Sequence, residues 1–219
     1  MQLDIFNRDK GGLPLPRTDK YGRSYTSYSQ IELFKRDRNE FKRQYIDNEP
    51  WSGNAYTEFG SRVGFALEHN DYSTFTNQEA GILRQAVRLD KFETRCRYLF
   101  DGFYILGFID THAADFSWII DYKTGGRGKE FQYSEDGYKQ LCYYALCIQQ
   151  EYGVTPQRAS VNFIRRSGNA FRGERLKVDD EQPILIDVDI TQGRLQLVKR
   201  EIIETVSAIS EFYLSASTP

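Results

Sequence analysis

The chain has 219 residues, and 29 Lys plus Arg stand against 31 Asp plus Glu, for a formal net charge of −2. That balance excludes a polycationic DNA coater but leaves room for an enzyme steered to nucleic acid by a local basic patch. With 40% hydrophobic residues and 6 prolines the chain reads as folded rather than disordered. No apolar run approaches the roughly 20 residues of a membrane helix. The charged start, Met1 to Lys10, lacks the apolar core of a signal peptide, so a cytoplasmic protein is expected.

Residues 1–26 read as an irregular lead, broken by Gly11-Gly12, Pro14 and Pro16. Ser27 with Gln30 forms a capping-box pattern, and Ile31, Phe34, Phe41 and Tyr45 give an interrupted helical stripe to about residue 46. Pro50 to Asn54 reads as a loop. Residues 55–69 read as a helix with Phe59, Val63 and Leu67 on one side. Thr76 and Glu79 form a second capping box, opening a helix to about Leu89. After Asp90 the period changes to two. Phe92, Thr94, Cys96 and Tyr98 alternate with charged residues, Asp101-Gly102 signals a hairpin, and Ala114-Asp115-Phe116 a further turn. Residues 91–124 therefore read as a three-stranded antiparallel meander. A long helix is expected from about Ser134 to Tyr152, with Gly153 as its C-cap glycine. A strand at 158–165, one or two more within 171–189, and a terminal helix from Thr191 complete the chain. The order predicts an α/β (α+β) fold, a mixed central sheet flanked by helices.

The chemistry concentrates in Gly107-Phe-Ile-Asp110 and Ile119-Ile-Asp121-Tyr122-Lys123-Thr-Gly125. Alternate strand residues share a face, so Asp121 and Lys123 project together and Tyr122 points away. A turn at 114–116 sets Asp110 nearly opposite Asp121, within roughly 5 Å. Two carboxylates that close repel unless a cation sits between them, and carboxylate oxygens suit magnesium or manganese. Lys123 is placed to orient a water or neutralise a phosphoryl oxygen. The competing reading is a cross-strand salt-bridge cluster on a solvated face. Ile109, Ile119 and Ile120 argue for burial instead, and buried carboxylates need a partner.

These residues resemble the PD-(D/E)XK nuclease superfamily, and within it the RecB-like exonuclease group. The resemblance spans roughly residues 25–165 and rests on four ordered blocks. They are Phe59-Gly60 through Gly64 to Glu68, Gly107-Phe-Ile-Asp110, Asp121-Tyr-Lys123-Thr-Gly125, and Lys139-Gln140-Leu141-Cys-Tyr143-Tyr144. Tyr28 to Phe34 is similar to the short N-terminal helix of the group. The resemblance implies a restriction-endonuclease-like core and a single nuclease-like domain over 27–219. It implies Mg2+ or Mn2+ held by Glu68, Asp110, Asp121 and the backbone carbonyl of Tyr122, with Lys123 as catalytic lysine. Gln140 and Tyr144, four apart on one helix face, would contact the scissile strand or support the site. Arg62 and Arg127 are expected to add substrate contacts.

The chain departs from the group at Gly64, where the family carries a histidine. His69, next to Glu68 and turned away round the helix, is not a clean substitute. Gly60 and Gly64 also fit close helix packing. Cys96, Cys142 and Cys147 are too few and wrongly placed for the group's four-cysteine iron–sulfur cluster, and none is expected. They read instead as small core residues.

Basic residues gather in three bands, at 35–43, 84–97 and 165–175. Each reads either as a solvated face or as part of a phosphate-backbone track. The combined expectation is a metal-dependent deoxyribonuclease with DNA as partner, an exonuclease of recombination, repair or phage DNA processing. The alternatives are a structure-specific endonuclease and a non-catalytic DNA-binding subunit.

Overall fold

The computed structural model describes residues 12–50, 53–133 and 138–217. The elements are β1 (Tyr25–Thr26), α1 (Tyr28–Arg36), α2 (Arg38–Phe41), α3 (Ala55–His69), α4 (Asn77–Leu83), β2 (Lys91–Phe100), β3 (Phe103–His112), β4 (Trp118–Gly125), α5 (Gln140–Tyr152), β5 (Arg158–Ser167), β6 (Lys177–Val178), β7 (Ile184–Asp187) and α6 (Gln192–Ser217). The seven strands form one mixed sheet with helices packed against it, so the fold is the mixed α/β arrangement expected. Among the described residues, no helix is long and apolar enough to cross a membrane.

The meander is built as the alternation predicts. Strands β2 and β3 pair antiparallel through nearly their whole length, Lys91 against His112 to Phe100 against Phe103, around the Asp101-Gly102 turn. The other edge of β3 is shared. Its start pairs parallel with β1, Tyr25 against Tyr104 and Thr26 against Ile105. Its end pairs antiparallel with β4, Thr111 against Ile120 and His112 against Ile119. Between these two short ladders, residues 106–110 of β3 have no strand partner on that edge. Continued by one step, the β3–β4 register sets Asp110 opposite Asp121, at the point where the strands part. Strand β4 then runs parallel to β5 from Trp118 against Arg158 to Gly125 against Arg165.

Two hydrophobic cores result. The larger holds α1, α5 and α6 against the sheet through residues such as Ile31, Ile105, Ile109, Leu141, Phe163 and Ile202. The smaller holds α3 and α4 through Phe59, Val63, Leu67, Leu83 and Ile164. Both capping boxes form, at Ser27 with Gln30 and at Thr76 with Glu79. The thiols of Cys96, Cys142 and Cys147 are free and buried in the larger core.

Several boundaries differ from expectation. The stripe ending near residue 46 is not one helix. Asp37 leaves helical geometry at φ −153°, and its carboxylate accepts from the Glu40 N–H, stopping α1 and starting α2. Helix α4 ends at Leu83 rather than near Leu89, because the chain must turn back to enter β2 at Lys91. The lead is not wholly irregular, since Tyr25 and Thr26 form β1. The expected start of the long helix at Ser134 lies outside the described residues, as does Trp51 of the loop before α3. The described helix begins at Gln140, so Tyr138 and Lys139 precede it.

Candidate active site

Asp121 sits on β4 with no exposed surface, surrounded by the larger core. Its Oδ2 accepts from the Tyr138 hydroxyl at 2.7 Å and from Lys123 Nζ at 2.6 Å. Its Oδ1 is buried and has no hydrogen-bond partner. An unpaired buried carboxylate oxygen is costly, by about 1–3 kcal/mol or more, so it is an observation that wants a ligand.

Asp110 stands where β3 and β4 separate. Its Oδ2 accepts the Tyr122 backbone N–H at 2.6 Å, taking the place of a carbonyl that the missing ladder would supply. Burial, and then the Asp121 carboxylate beside it, push its carboxyl up to about 7 against the opposing pull of Lys123 and the Tyr122 N–H. Lys123 is shifted up. Burial works against its charge, but Asp121 and Asp110 outweigh it, so the ammonium is held protonated. Two carboxylates thus face one ammonium, and a phosphate brought here meets excess negative charge.

The Tyr122 side chain turns to the other layer, and its hydroxyl donates to the Val87 carbonyl at 2.7 Å. In front of the site lies a cleft of about 560 Å3 walled by α3 and β2. Asp110, Lys123 and Tyr122 line it, together with Gly60, Gly64, Phe65 and Glu68 from α3, and Phe92 and Glu93 from β2. Glu68 therefore shares the cleft with Asp110 and Lys123. Its carboxylate lies 3.6 Å from His69 Nδ1. Helix α3 is fixed by Asn54, whose side chain accepts from the N–H groups of Tyr56 and Thr57, and by Asn70, left-handed at φ 54°. Gly64 faces open space, so close packing does not account for it, and a Cβ at Gly60 would make only ordinary contact with Thr124.

Gln140 and Tyr144 lie behind Asp121 rather than in the cleft. The Tyr138 oxygen is 2.6 Å from the Gln140 side-chain oxygen, and the Gln140 amide nitrogen donates to Tyr144 at 2.5 Å. Tyr138 has one proton, and it faces two acceptors. Turning the Gln140 amide over lets its NH2 donate to Tyr138 and its carbonyl accept from Tyr144, which satisfies every group. The chain Tyr144–Gln140–Tyr138–Asp121 then ends on the carboxylate. Burial holds both tyrosines protonated, reinforced by Asp121. The Tyr144 ring also fills the space beside Gly107, where a Cβ would come within 2.6 Å of it.

Neither expected arginine lines the cleft. Arg62 packs over the rings of Phe59 and Phe75. Arg127 is exposed and paired with Glu181. Much of the three basic bands is likewise engaged within the chain. Lys35 pairs with Glu32 and Glu201, Arg97 with Glu151, and Arg165 with Glu130 and Glu181. Arg88 holds the Leu67 and Glu68 carbonyls.

Two residues at the site were not legible as such. Glu93 adopts φ 45° at the gap in the β2–β3 ladder opposite Asp110, a strained geometry for a non-glycine. Its carboxyl is raised by reduced solvation, then by Glu68 and Asp121. The alternation put Glu93 on the outward side, and only the placement of α3 turns that side into a cleft wall. Tyr138 gave no signal because it precedes the helix expected to contain it.

The donor set is all carboxylate, which suits a hard divalent cation. Among the described residues, no three Asp, Glu, His or Cys side chains sit close enough to form a complete cage. Magnesium needs none, since it is commonly held by one or two carboxylates with waters and substrate phosphate. The unpaired Asp121 oxygen and the repulsion at Asp110 both fit such an ion.

No protein-family model matches the chain, and no curated protein matches it. Solved structures do. One, described as "Putative exonuclease" from Eubacterium rectale, overlays with a TM-score of 0.54 at 11% identity, covering 87% of this chain and 82% of that one. A second, SSO0001, overlays more loosely at a TM-score of 0.41 and 12% identity, covering 92% and 80%. The first likeness is one of fold, and it extends over most of both molecules.

Proposed function

We propose that the chain is a metal-dependent deoxyribonuclease of the PD-(D/E)XK, RecB-like type, acting on phosphodiester bonds. The observation that carries this reading is the meeting of Asp110, Asp121 and Lys123 at the parting of β3 and β4, with one Asp121 oxygen unpaired. Asp110 and Asp121, with the Tyr122 carbonyl, would hold Mg2+ or Mn2+, and Glu68 on the cleft wall would add its charge to the site. When bound, that ion supplies charge neutralisation and lowers the pKa of a water. Lys123 offers a charged donor to a phosphoryl oxygen as negative charge grows there. Gln140, Tyr144 and Tyr138 keep Asp121 in place from behind. The likeness of fold to the Eubacterium rectale protein supports an exonuclease as the first form of this activity, and recombination, repair or phage DNA processing are the settings proposed for it.

The test offers linear and circular DNA, single- and double-stranded, with Mg2+ or Mn2+, to wild type, Asp121→Ala and Lys123→Ala. Cleavage of linear DNA that both substitutions abolish is expected. No cleavage under either metal would overturn the enzyme reading and favour a DNA-binding subunit. Equal cleavage of circular DNA would make the protein an endonuclease.

A further inference from the structure

A second pocket lies between the lead segment, α1 and the turn that follows α2. Its volume is about 500 Å3, and it shares no lining residue with the cleft before Asp110. Sites for small molecules typically measure about 300–1,000 Å3. Arg17 and Arg36 supply its positive charge, and Glu49 its one carboxylate. The Arg17 carbonyl accepts the Tyr25 N–H at 3.0 Å, and its guanidinium lies 5.6 Å from the centre of the Tyr45 ring, so it is set in place. Arg36 stands in the last turn of α1. Among the described residues, neither guanidinium has an ion pair or a side-chain hydrogen bond, even though Glu49 lines the same pocket.

The remaining wall is locally irregular. Lys42–Ile46 form a π-helical turn, closed by the Asp47 N–H on the Lys42 carbonyl at 2.9 Å. Wide turns of this kind recur at functional sites. Asn48 then turns left-handed at φ 54°, a geometry that Asn tolerates. The Gln44 amide nitrogen is committed to Glu40 at 2.6 Å, and that of Asn48 to the Ile46 carbonyl at 3.2 Å. A carboxylate and a carbonyl can only accept, so both amide orientations are settled. The side-chain oxygens of Gln44 and Asn48 are thereby left as acceptors, beside the Glu49 carboxylate.

The pocket thus offers two kinds of partner. Two guanidiniums without a carboxylate match an oxyanion of double charge, and phosphate takes their forked donors well. A bare anion would leave Gln44, Asn48 and Glu49 without donors, and Glu49 would repel it. Hydroxyl groups on the same ligand answer all three. We propose that the pocket binds a small phosphate monoester bearing hydroxyls, a sugar phosphate or a nucleotide. Its phosphate lies on Arg17 and Arg36, and its hydroxyls donate to the wall at Gln44, Asn48 and Glu49. The site is independent of the nuclease reading.

Isothermal titration calorimetry of the full-length protein in EDTA tests it. The probes are ribose 5-phosphate, adenosine 5′-monophosphate and inorganic phosphate. Saturable binding of an ester is expected, with inorganic phosphate about tenfold weaker or more. Which ester binds tighter separates a sugar-phosphate site from a nucleotide site. Arg36→Ala should weaken ester binding by about tenfold or more. Asp121→Asn, at the active site, should leave it unchanged. Glu49→Gln should weaken the esters and tighten inorganic phosphate, a split that a merely unfolded variant would not give. No saturable binding of either ester would overturn the proposal. So would inorganic phosphate binding as tightly as the esters, an unchanged affinity in Arg36→Ala, or binding lost in Asp121→Asn.

Discussion

The two faces of β4 are built on different terms. On one, Asp121 is sealed among tyrosines in the larger core, and the Tyr138 hydroxyl at its Oδ2 is backed by Gln140. On the other, Tyr122 packs into the smaller core, and beside it the cleft stays open to Gly64, Glu68 and Glu93. Rigidity is supplied from behind and access from in front. The contrast teaches that the buried face should govern chemistry, and the cleft face should govern what enters.

The largest effect expected is at Asp121 and at Lys123, which reaches from it into the cleft. Asp121→Asn or Lys123→Ala should lower kcat by about 100–1,000-fold or more with little change in DNA affinity. Intact folding is checked by circular dichroism. Next is the pair of hydroxyls on opposite faces. Tyr138→Phe should cost about 10–100-fold in activity and raise the Mg2+ requirement, because it frees Asp121 from its support. Tyr122→Phe, which loses the bond to the Val87 carbonyl, should cost about 1 kcal/mol in stability and leave the Mg2+ requirement alone. Equal effects of the two on activity would break the comparison.

The pH dependence of stability sharpens it further. Asp110 binds its proton more tightly folded than unfolded, so folding gains from it in full below about pH 4. That gain is lost as pH rises through about 7, where the folded carboxyl ionises. Asp110→Asn should therefore raise the Tm at pH 8 by several degrees, for about 1–3 kcal/mol, and do little at pH 4. Added Mg2+ should restore part of the difference to wild type at pH 8 and leave the variant unmoved. The smallest effects separate two glycines. Gly64→Ala, facing open space within a helix, should stabilise by about 0.5–1 kcal/mol. Gly125→Ala, whose Cβ would meet the Phe163 ring at 2.7 Å, should destabilise by about 1–3 kcal/mol. Thermal melts read both.

Legibility in the sequence follows the same division. The β2–β3–β4 meander is readable because alternation, the Asp101-Gly102 turn and the 114–116 turn are all local. The approach of Asp110 to Asp121 is readable for that reason too. The cleft is not, because its wall is α3, and the residues that face it depend on how a distant helix lies on the sheet. Glu93 reads as an outward charge, and nothing within its own strand marks it as a cleft residue. Arg62 and Arg127 looked like phosphate contacts until Phe75 and Glu181, remote in sequence, supplied their partners.

The shared edge of β3 also carries a consequence for how the molecule assembles. The hairpins that bring Asp110 to Asp121 close short loops, whereas β1 reaches its place only by closing the long loop from Tyr25 to Tyr104. Loop-closure entropy puts such pairing late in folding. The meander would form first with one edge of β3 bare over its first half. An exposed edge of that kind recruits strands from other molecules. The pairing of Tyr25 and Thr26 covers Tyr104 and Ile105 of that edge, and its removal should show first as aggregation during refolding.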